Sequence, residues 1–209
     1  MRSLALVPCL VACGSSPPAP PPEPTARQAL PWAVPEGFRG ETIPFPLEFA
    51  PSVSHKGVEE LRFAPGFFEP GAAGYWSYTF VWRTEDPAAM DAAAVGAELT
   101  AYFRGLIDAV DQTRQITDRD AIAVHATPAG VRLALTAHVF DAFRTQQPLD
   151  LVGWAQRGVC GTGALWRFVL APAASALRSQ LEGLAAAAAC DQPVPPPPPP
   201  RVPAASRAG

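Results

Sequence analysis

The clearest alternation of large apolar and smaller side chains lies in the middle of the chain, at Tyr75–Arg83. Every second side chain there is a large ring, and the rings are those of Trp76, Tyr78, Phe80 and Trp82. A period of two residues is typical of a β-strand with one buried face. Four such rings carry about 800 Å², more than the roughly 300–600 Å² of the largest apolar patch on a typical monomer. We therefore expect these rings to lie in the core, and any ligand surface to lie on the opposite face, near Tyr75, Ser77 and Thr79.

The segment after this strand has the periodicity of a helix. Asp86 and Pro87 are favoured at the N-cap and at the first position of a helix, so we predict that a helix begins there and continues to about Val110. Its apolar positions recur at steps of three and four residues and form one stripe. The stripe consists of Val95, Leu99, Phe103, Leu106, Ile107 and Val110. We expect the side chains of this stripe to pack against the four rings.

The remaining periodic segments predict further strands and a second helix. Strands are expected at Arg39–Phe49, Gly57–Phe63, Ala121–Thr127, Val131–Phe140, Leu149–Arg157 and Ala164–Leu170. Prolines in the first of these segments confine it to an edge strand or a packed coil. A last helix should begin at Pro172, with Leu177, Leu181 and Leu184 on one stripe. The order of elements predicts an α+β fold, with a mainly antiparallel sheet of about five to six strands and two helices packed on one face.

The strands Ala121–Thr127 and Val131–Phe140 are predicted to form a hairpin with an even loop centred on Ala129-Gly130. Only an even loop places the apolar residues of both strands on one face. This register puts His125 and His138 on the opposite face, about 13 Å apart. Two imidazoles at that separation cannot share a metal ion or a proton, so we interpret both as ordinary strand residues.

Prolines concentrate at both ends of the 209-residue chain and divide it into segments. Such stretches favour an extended polyproline helix and do not form a packed core. We predict a signal peptide at 1–12, a proline-rich tether at 13–30, a single α+β domain at 31–192 and a proline-rich disordered tail at 193–209. The run Pro195–Pro200 is either a solvated end or a ligand for a proline-binding domain.

The N-terminal apolar run Leu4–Ala12 is too short to span a bilayer, which needs about 20 residues, but it fits an export signal. It ends in Leu10-Val11-Ala12-Cys13, which resembles the lipobox of a bacterial lipoprotein. The resemblance implies cleavage before Cys13, diacylglycerol on its sulfur, and a lipid bilayer as partner. It places the protein outside the cytoplasm on the cell membrane, and Gly14 implies the outer membrane if the host is Gram-negative. The alternative is an ordinary export signal that is cut elsewhere.

Two cysteines remain once Cys9 is assigned to the signal and Cys13 to the lipid. Cys160 and Cys190 are an even pair in an exported chain, and we expect them to form a disulfide. The alternatives are two free thiols or a metal site. A metal site is disfavoured because the chain has no CxxC motif and its three histidines are not at ligand spacing. We therefore predict neither a metal nor a cofactor.

No motif in the chain points to a particular reaction. The net charge is −3 and the basic residues are scattered, which excludes a nucleic-acid partner. The run Cys160-Gly161-Thr162-Gly163 is followed by a strand rather than a helix, so it is a hairpin turn and not a phosphate loop. The adjacent Glu59 and Glu60 should point to opposite faces of a strand, so they cannot act as a catalytic pair.

Two functional hypotheses remain. The first is a membrane-anchored, non-catalytic binding or envelope-associated domain. The second is an enzyme with an unrecognised site on the sheet, drawing on His125, His138, Glu59 and Arg62. The sequence contains no recognisable set of catalytic residues, which favours the first hypothesis.

One block within the folded part resembles an uncharacterised family of exported bacterial proteins. It comprises Lys56–Phe68 followed by Tyr75–Trp82. The resemblance implies export and a single domain, and it implies no activity.

Overall fold

A computed structural model describes residues 31–87 and 89–194. The predicted signal peptide, the predicted lipidation site Cys13, the predicted tether and nearly all of the predicted tail lie outside the described residues. The described part forms a seven-stranded antiparallel sheet and two α-helices. The elements are β1 Arg39–Pro44, β2 Gly57–Phe63, β3 Tyr78–Thr84, α1 Ala92–Val110, β4 Ala123–Ala129, β5 Arg132–Phe140, β6 Pro148–Cys160, β7 Gly163–Pro172 and α2 Arg178–Ala186. The strand order is β1-β2-β3-β7-β6-β5-β4.

The α+β class is confirmed, but the expectation that both helices share one face of a five- to six-stranded sheet is wrong. Phe80 of β3 packs in one core cluster with Leu99 and Phe103 of α1. The next residue, Val81, packs in a second cluster with Leu184 of α2. Since successive side chains of a strand point to opposite faces, α1 and α2 cover opposite sides of the sheet. The central strands β3 and β7 are largely buried on both faces, which requires a layer on each side.

The four rings of the alternating segment lie in the core, as predicted. The exposed fractions of Trp76, Tyr78, Phe80 and Trp82 are 1%, 2%, 0% and 0%. Trp76, however, precedes β3 and has a positive φ of 48°, so its burial does not come from strand alternation.

The opposite face offers no ligand surface near Tyr75, Ser77 and Thr79, and that expectation is wrong. Ser77 and Thr79 are completely buried. The Ser77 hydroxyl lies 2.9 Å from the hydroxyl of Ser175, in the segment between β7 and α2. The Thr79 hydroxyl donates to the Phe168 carbonyl at 2.7 Å. Their polar groups are therefore satisfied within the fold.

Both helices begin later than the sequence predicts. The N-cap of α1 is Asp91, whose carboxylate accepts from the Ala94 amide at 2.8 Å. Asp86 instead belongs to the exit from β3, where its carbonyl accepts from the Thr84 hydroxyl at 3.1 Å. The predicted end of α1 at Val110 is confirmed. The second helix begins at Arg178 because Pro172 is still the last residue of β7.

The hairpin β4–β5 has the predicted even loop and the predicted faces, but its centre is shifted by one residue. Ala129 pairs with Arg132, so the two loop residues are Gly130 and Val131. Gly130 has a φ of 65°, a conformation that glycine adopts without strain. His125 consequently pairs with Thr136 and lies diagonal to His138. Diagonal neighbours stand about 7–8 Å apart, so the expected separation of about 13 Å is wrong.

The hairpin β6–β7 turns at Gly161 and Thr162, which confirms the interpretation of this glycine-containing run as a turn. At its tip, Cys160 forms the expected disulfide with Cys190, with Cα atoms 5.3 Å apart. The bond ties the end of β6 to the segment that follows α2. The helix is short and rich in alanine, so it has little apolar bulk of its own to hold that segment on the sheet.

Replacing both Cys160 and Cys190 by serine should lower the free energy of unfolding by about 3–4 kcal/mol. The reason is that the bond closes a loop with a sequence separation of 30 residues and so restricts the unfolded chain. Urea unfolding of the oxidised protein and of the variant measures the difference. Dithiothreitol should destabilise the wild type by the same amount and leave the variant unchanged. Equal stability of the two oxidised proteins would contradict the prediction.

Candidate functional site

An aromatic pocket of about 380 Å³ lies between the β1–β3 half of the sheet and α1. Small-molecule sites typically occupy about 300–1,000 Å³ and are lined by apolar and aromatic side chains with a few polar groups. Eight rings contribute to the lining, those of Phe49, Phe63, Phe67, Phe68, Trp76, Tyr78, Tyr102 and Phe143. In size and chemistry this pocket is the best candidate for a functional site in the described part of the chain.

The outer wall of the aromatic pocket is built by two turns rather than by strands. Phe67 and Phe68 lie in the turn after β2, and Phe143 lies in the turn after β5. The ring centroids of Phe67 and Phe68 are 4.8 Å apart, and those of Phe68 and Phe143 are 5.1 Å apart. Both pairs are edge-to-face, a geometry that adds attraction beyond area burial. The two turns therefore hold each other as one wall.

Asp141 anchors this wall. Its carboxylate accepts from the Tyr75 hydroxyl at 2.7 Å and from the Trp76 indole at 3.2 Å. It also accepts from the backbone amides of Phe143, Arg144 and Thr145. Burial alone would raise the pKa of Asp141, but the hydrogen bonds outweigh it and lower the pKa. With both oxygens engaged, Asp141 positions the wall and is not available as a catalytic base.

The rim of the aromatic pocket carries two opposite charges. Arg39 and Glu41 lie on the same side of β1, with Nη2 and Oε2 3.9 Å apart. The Arg39 guanidinium also lies 5.6 Å from the centroid of the Phe68 ring. Since the two charges neutralise each other, the rim presents little net charge to an entering molecule.

Glu59 lies behind the pocket lining and is completely buried. Its Oε1 accepts from the Trp82 indole at 3.0 Å, whereas Oε2 accepts no hydrogen bond of good geometry from the described residues. Burial raises the pKa of Glu59 to about 8, and the interactions with Trp82 and Tyr102 oppose that rise only in part. The carboxyl therefore keeps its proton at neutral pH, and the inner end of the pocket carries no charge.

The residues of the enzyme hypothesis do not come together. Glu59 faces α1, whereas Arg62 faces α2 and pairs with Glu60 at 3.3 Å. This arrangement confirms that Glu59 and Glu60 point to opposite faces. On the far half of the sheet, the Nδ1 atom of His138 lies 2.7 Å from Asp150. The fourth residue of that hypothesis, His125, is exposed on the edge strand β4.

Metal ligands are not clustered either. Within residues 31–87 and 89–194 no group of three or more histidine, cysteine, aspartate or glutamate side chains is placed to hold a metal ion.

A wider groove of about 680 Å³ runs between α1, residues 49–52 and β4. Its floor consists largely of small residues of α1, such as Ala93, Gly96 and Ala97. Here α1 covers the edge of the sheet, since the Val124 amide donates to the Thr100 hydroxyl at 2.9 Å. Covering an edge strand in this way prevents pairing with other chains. Edge protection thus explains the groove, although its lining also includes the polar side chains of Arg104, Asp108 and His125.

Sequence reasoning missed the aromatic pocket because its wall comes from turns. The signal that could have revealed it is the pair Phe67-Phe68 directly after Pro65-Gly66. Turns lie at the surface, so two large rings in a turn must be covered by another segment. Which segment covers them is not readable from the local pattern.

The fold and the pocket together define a small antiparallel α+β domain with an aromatic cavity on one side of its sheet. No protein-family model matches the chain, and neither a curated protein nor a solved structure matches it. Within the described part of the chain, neither helix has the length and apolar character needed to cross a membrane.

Proposed function

We propose that this chain is an exported, lipid-anchored bacterial protein whose folded domain binds a small apolar molecule without transforming it. The observation that carries the proposal is the aromatic pocket of about 380 Å³, with its eight rings. The rings supply apolar contact area, and the fixed turns supply a shape that exists before binding. No described nucleophile and base lie together in the pocket lining, which favours binding over catalysis.

Two features support the proposed location of the protein outside the cytoplasm and on a membrane. The disulfide between Cys160 and Cys190 is the kind of bond that persists outside the cytoplasm. The lipobox-like sequence that ends at Cys13 supports an anchor in the bilayer, with the proline-rich segment as a spacer.

Binding is tested with naphthalene, an uncharged two-ring hydrocarbon. At a free concentration about ten times its Kd, it should stabilise the folded domain by about 1.4 kcal/mol and raise the Tm by about 4 °C. Leu106→Trp places a larger side chain in the pocket lining and should weaken binding at least about tenfold. Val131→Trp adds the same ring at a hairpin tip, where Val131 is 84% exposed, and should bind like the wild type. Absence of any naphthalene binding to the wild type would contradict the proposed function.

The proposed lipid anchor is tested by substituting the N-terminal cysteines. The wild type should label with palmitate and partition into a detergent phase, whereas Cys13→Ala should lose both properties. Cys9→Ala is the matched control, since it removes a neighbouring thiol but retains the lipobox cysteine. Undiminished labelling of Cys13→Ala would show that the lipid is not attached at this position.

A further inference from the structure

The polar groups around the aromatic pocket differ sharply in whether they already have partners. Arg39 and Glu41 at the rim are paired with each other. At the inner end, Glu59 receives the Trp82 indole and interacts with the Tyr102 hydroxyl. A ligand charge placed in the pocket would therefore meet no free opposite charge, and it would lose its hydration without compensation.

Tyr78 is the exception. Its side chain lines the pocket and is only 2% exposed. The ring is held by stacking on Phe63 and on Phe80, with centroids 5.9 Å and 5.5 Å away. None of the hydrogen bonds between described residues involves its hydroxyl, and this oxygen is not one of the fully enclosed atoms that lack a partner, so it is reachable from the pocket. A ligand that fills the pocket displaces water from this hydroxyl, so an acceptor on the ligand is needed to offset the lost hydration.

We propose that the ligand of the aromatic pocket is an uncharged ring compound with one hydrogen-bond acceptor, such as a carbonyl, which accepts from the Tyr78 hydroxyl. This inference rests on the proposed function, because it requires that the pocket binds a small molecule. The surrounding rings take the apolar body of the ligand, and Tyr78 fixes its orientation. The neutral rim and the neutral inner end disfavour carboxylates and ammonium ions.

The experiment uses ligands that share one naphthalene body. The first pair is 2-acetylnaphthalene and 2-isopropenylnaphthalene, which have nearly the same shape but differ in the carbonyl oxygen. The second pair is 2-naphthoate and (2-naphthyl)trimethylammonium, which carry opposite charges. Dissociation constants are measured by NMR titration of the full domain, residues 31–194 or longer.

We expect the wild type to bind the acetyl compound about three- to tenfold more tightly than the isopropenyl compound, the difference that one neutral hydrogen bond makes. Both charged compounds should bind more weakly than either. Tyr78→Phe removes only the hydroxyl, so it should abolish the preference while still binding the isopropenyl compound. Val131→Trp, at the exposed hairpin tip outside the pocket, is the control and should keep the preference.

Other outcomes separate this inference from the proposed function. Equal binding of the acetyl and isopropenyl compounds by the wild type overturns the inference, although the pocket still binds apolar rings. A preference that persists in Tyr78→Phe overturns the role of Tyr78, and tighter binding of either charged compound overturns the neutral-ligand claim. Binding of none of the compounds overturns the proposed function itself. Comparable melting temperatures of Tyr78→Phe, Val131→Trp and the wild type establish that all three are folded.

Discussion

Glu59→Gln should make this protein more stable than the wild type at pH 8, and the advantage should shrink as the pH is lowered to 5. The burial of Glu59 raises its pKa from 4.5 to about 8 in the folded protein. The folded state therefore binds a proton more tightly than the unfolded state does. Between pH 4.5 and 8 each increase in pH stabilises the unfolded chain relative to the fold, so stability falls through this window.

The size of the effect follows from the difference between the two pKa values. Each unit corresponds to about 1.4 kcal/mol, so the advantage of the variant over the wild type should grow by about 3 kcal/mol between pH 5 and pH 8. Glutamine keeps the shape of the side chain and its acceptor for the Trp82 indole, but it has no proton to lose. Urea unfolding of both proteins at several pH values measures the difference, and other titrating groups cancel in the subtraction. A difference that does not change with pH would show that Glu59 titrates normally.

Glu60→Gln, the same substitution one residue further along β2, should have the opposite effect. Both oxygens of Glu60 are engaged in ion pairs, with Arg62 at 3.3 Å and with Arg83 at 2.6 Å. All of these groups lie on the α2 face, and Glu60 and Arg62 are almost completely buried. Removing the carboxylate leaves buried guanidinium groups without their counter-charge, and an amide NH₂ would face their N–H donors. We expect a loss of about 3–5 kcal/mol, the usual cost of breaking a buried ion pair from one side.

Comparing the two variants tests the role of the carboxyl's partners more directly than measuring either variant alone. Both exchange a buried glutamate for its amide on the same strand, so the change in size and the loss of one ionisable group are identical. Only the partners differ: an indole and a tyrosine for Glu59, two arginines for Glu60. Urea unfolding at pH 8 should show one variant above the wild type and the other below it. If both are destabilised to the same extent, the partners do not determine the energetics of these carboxyls.

The arginines on the α2 face explain why that ion-pair network is retained. The Arg83 and Arg167 guanidinium groups donate to the carbonyls of Ala189 and Ala188, just after the end of α2. Cations near a helix C-terminus are favourable, because the last carbonyls of a helix have no partners within it. Burial lowers the pKa of Arg62, and the charge of Glu60 opposes that change. Glu60 thus supplies the counter-charge for Arg62 and Arg83 beneath α2.

Local pattern was sufficient for the features that depend on neighbouring residues. The period of two predicted β3 and its buried rings, because alternation along a strand is a property of the backbone. The apolar stripe that includes Leu99 and Phe103 predicted α1 and its end at Val110, because the spacing of three and four residues is also a property of the backbone. The pairing of Cys160 with Cys190 followed from counting the cysteines left for the folded domain. The α+β class followed from the order of the elements.

Only the tertiary structure decided which faces meet and which groups are left without partners. Side chains buried on both faces of β3 and β7 require a layer on each side. The sequence does not say which helix covers which side, because that choice depends on the path of the connections. The aromatic pocket arises where the turn of Phe67 and Phe68 meets the turn of Phe143, three residues brought together by contacts 75 or more positions apart in the sequence. The partners of Glu59 and Glu60 differ for the same reason, since adjacent side chains of one strand enter different layers of the fold.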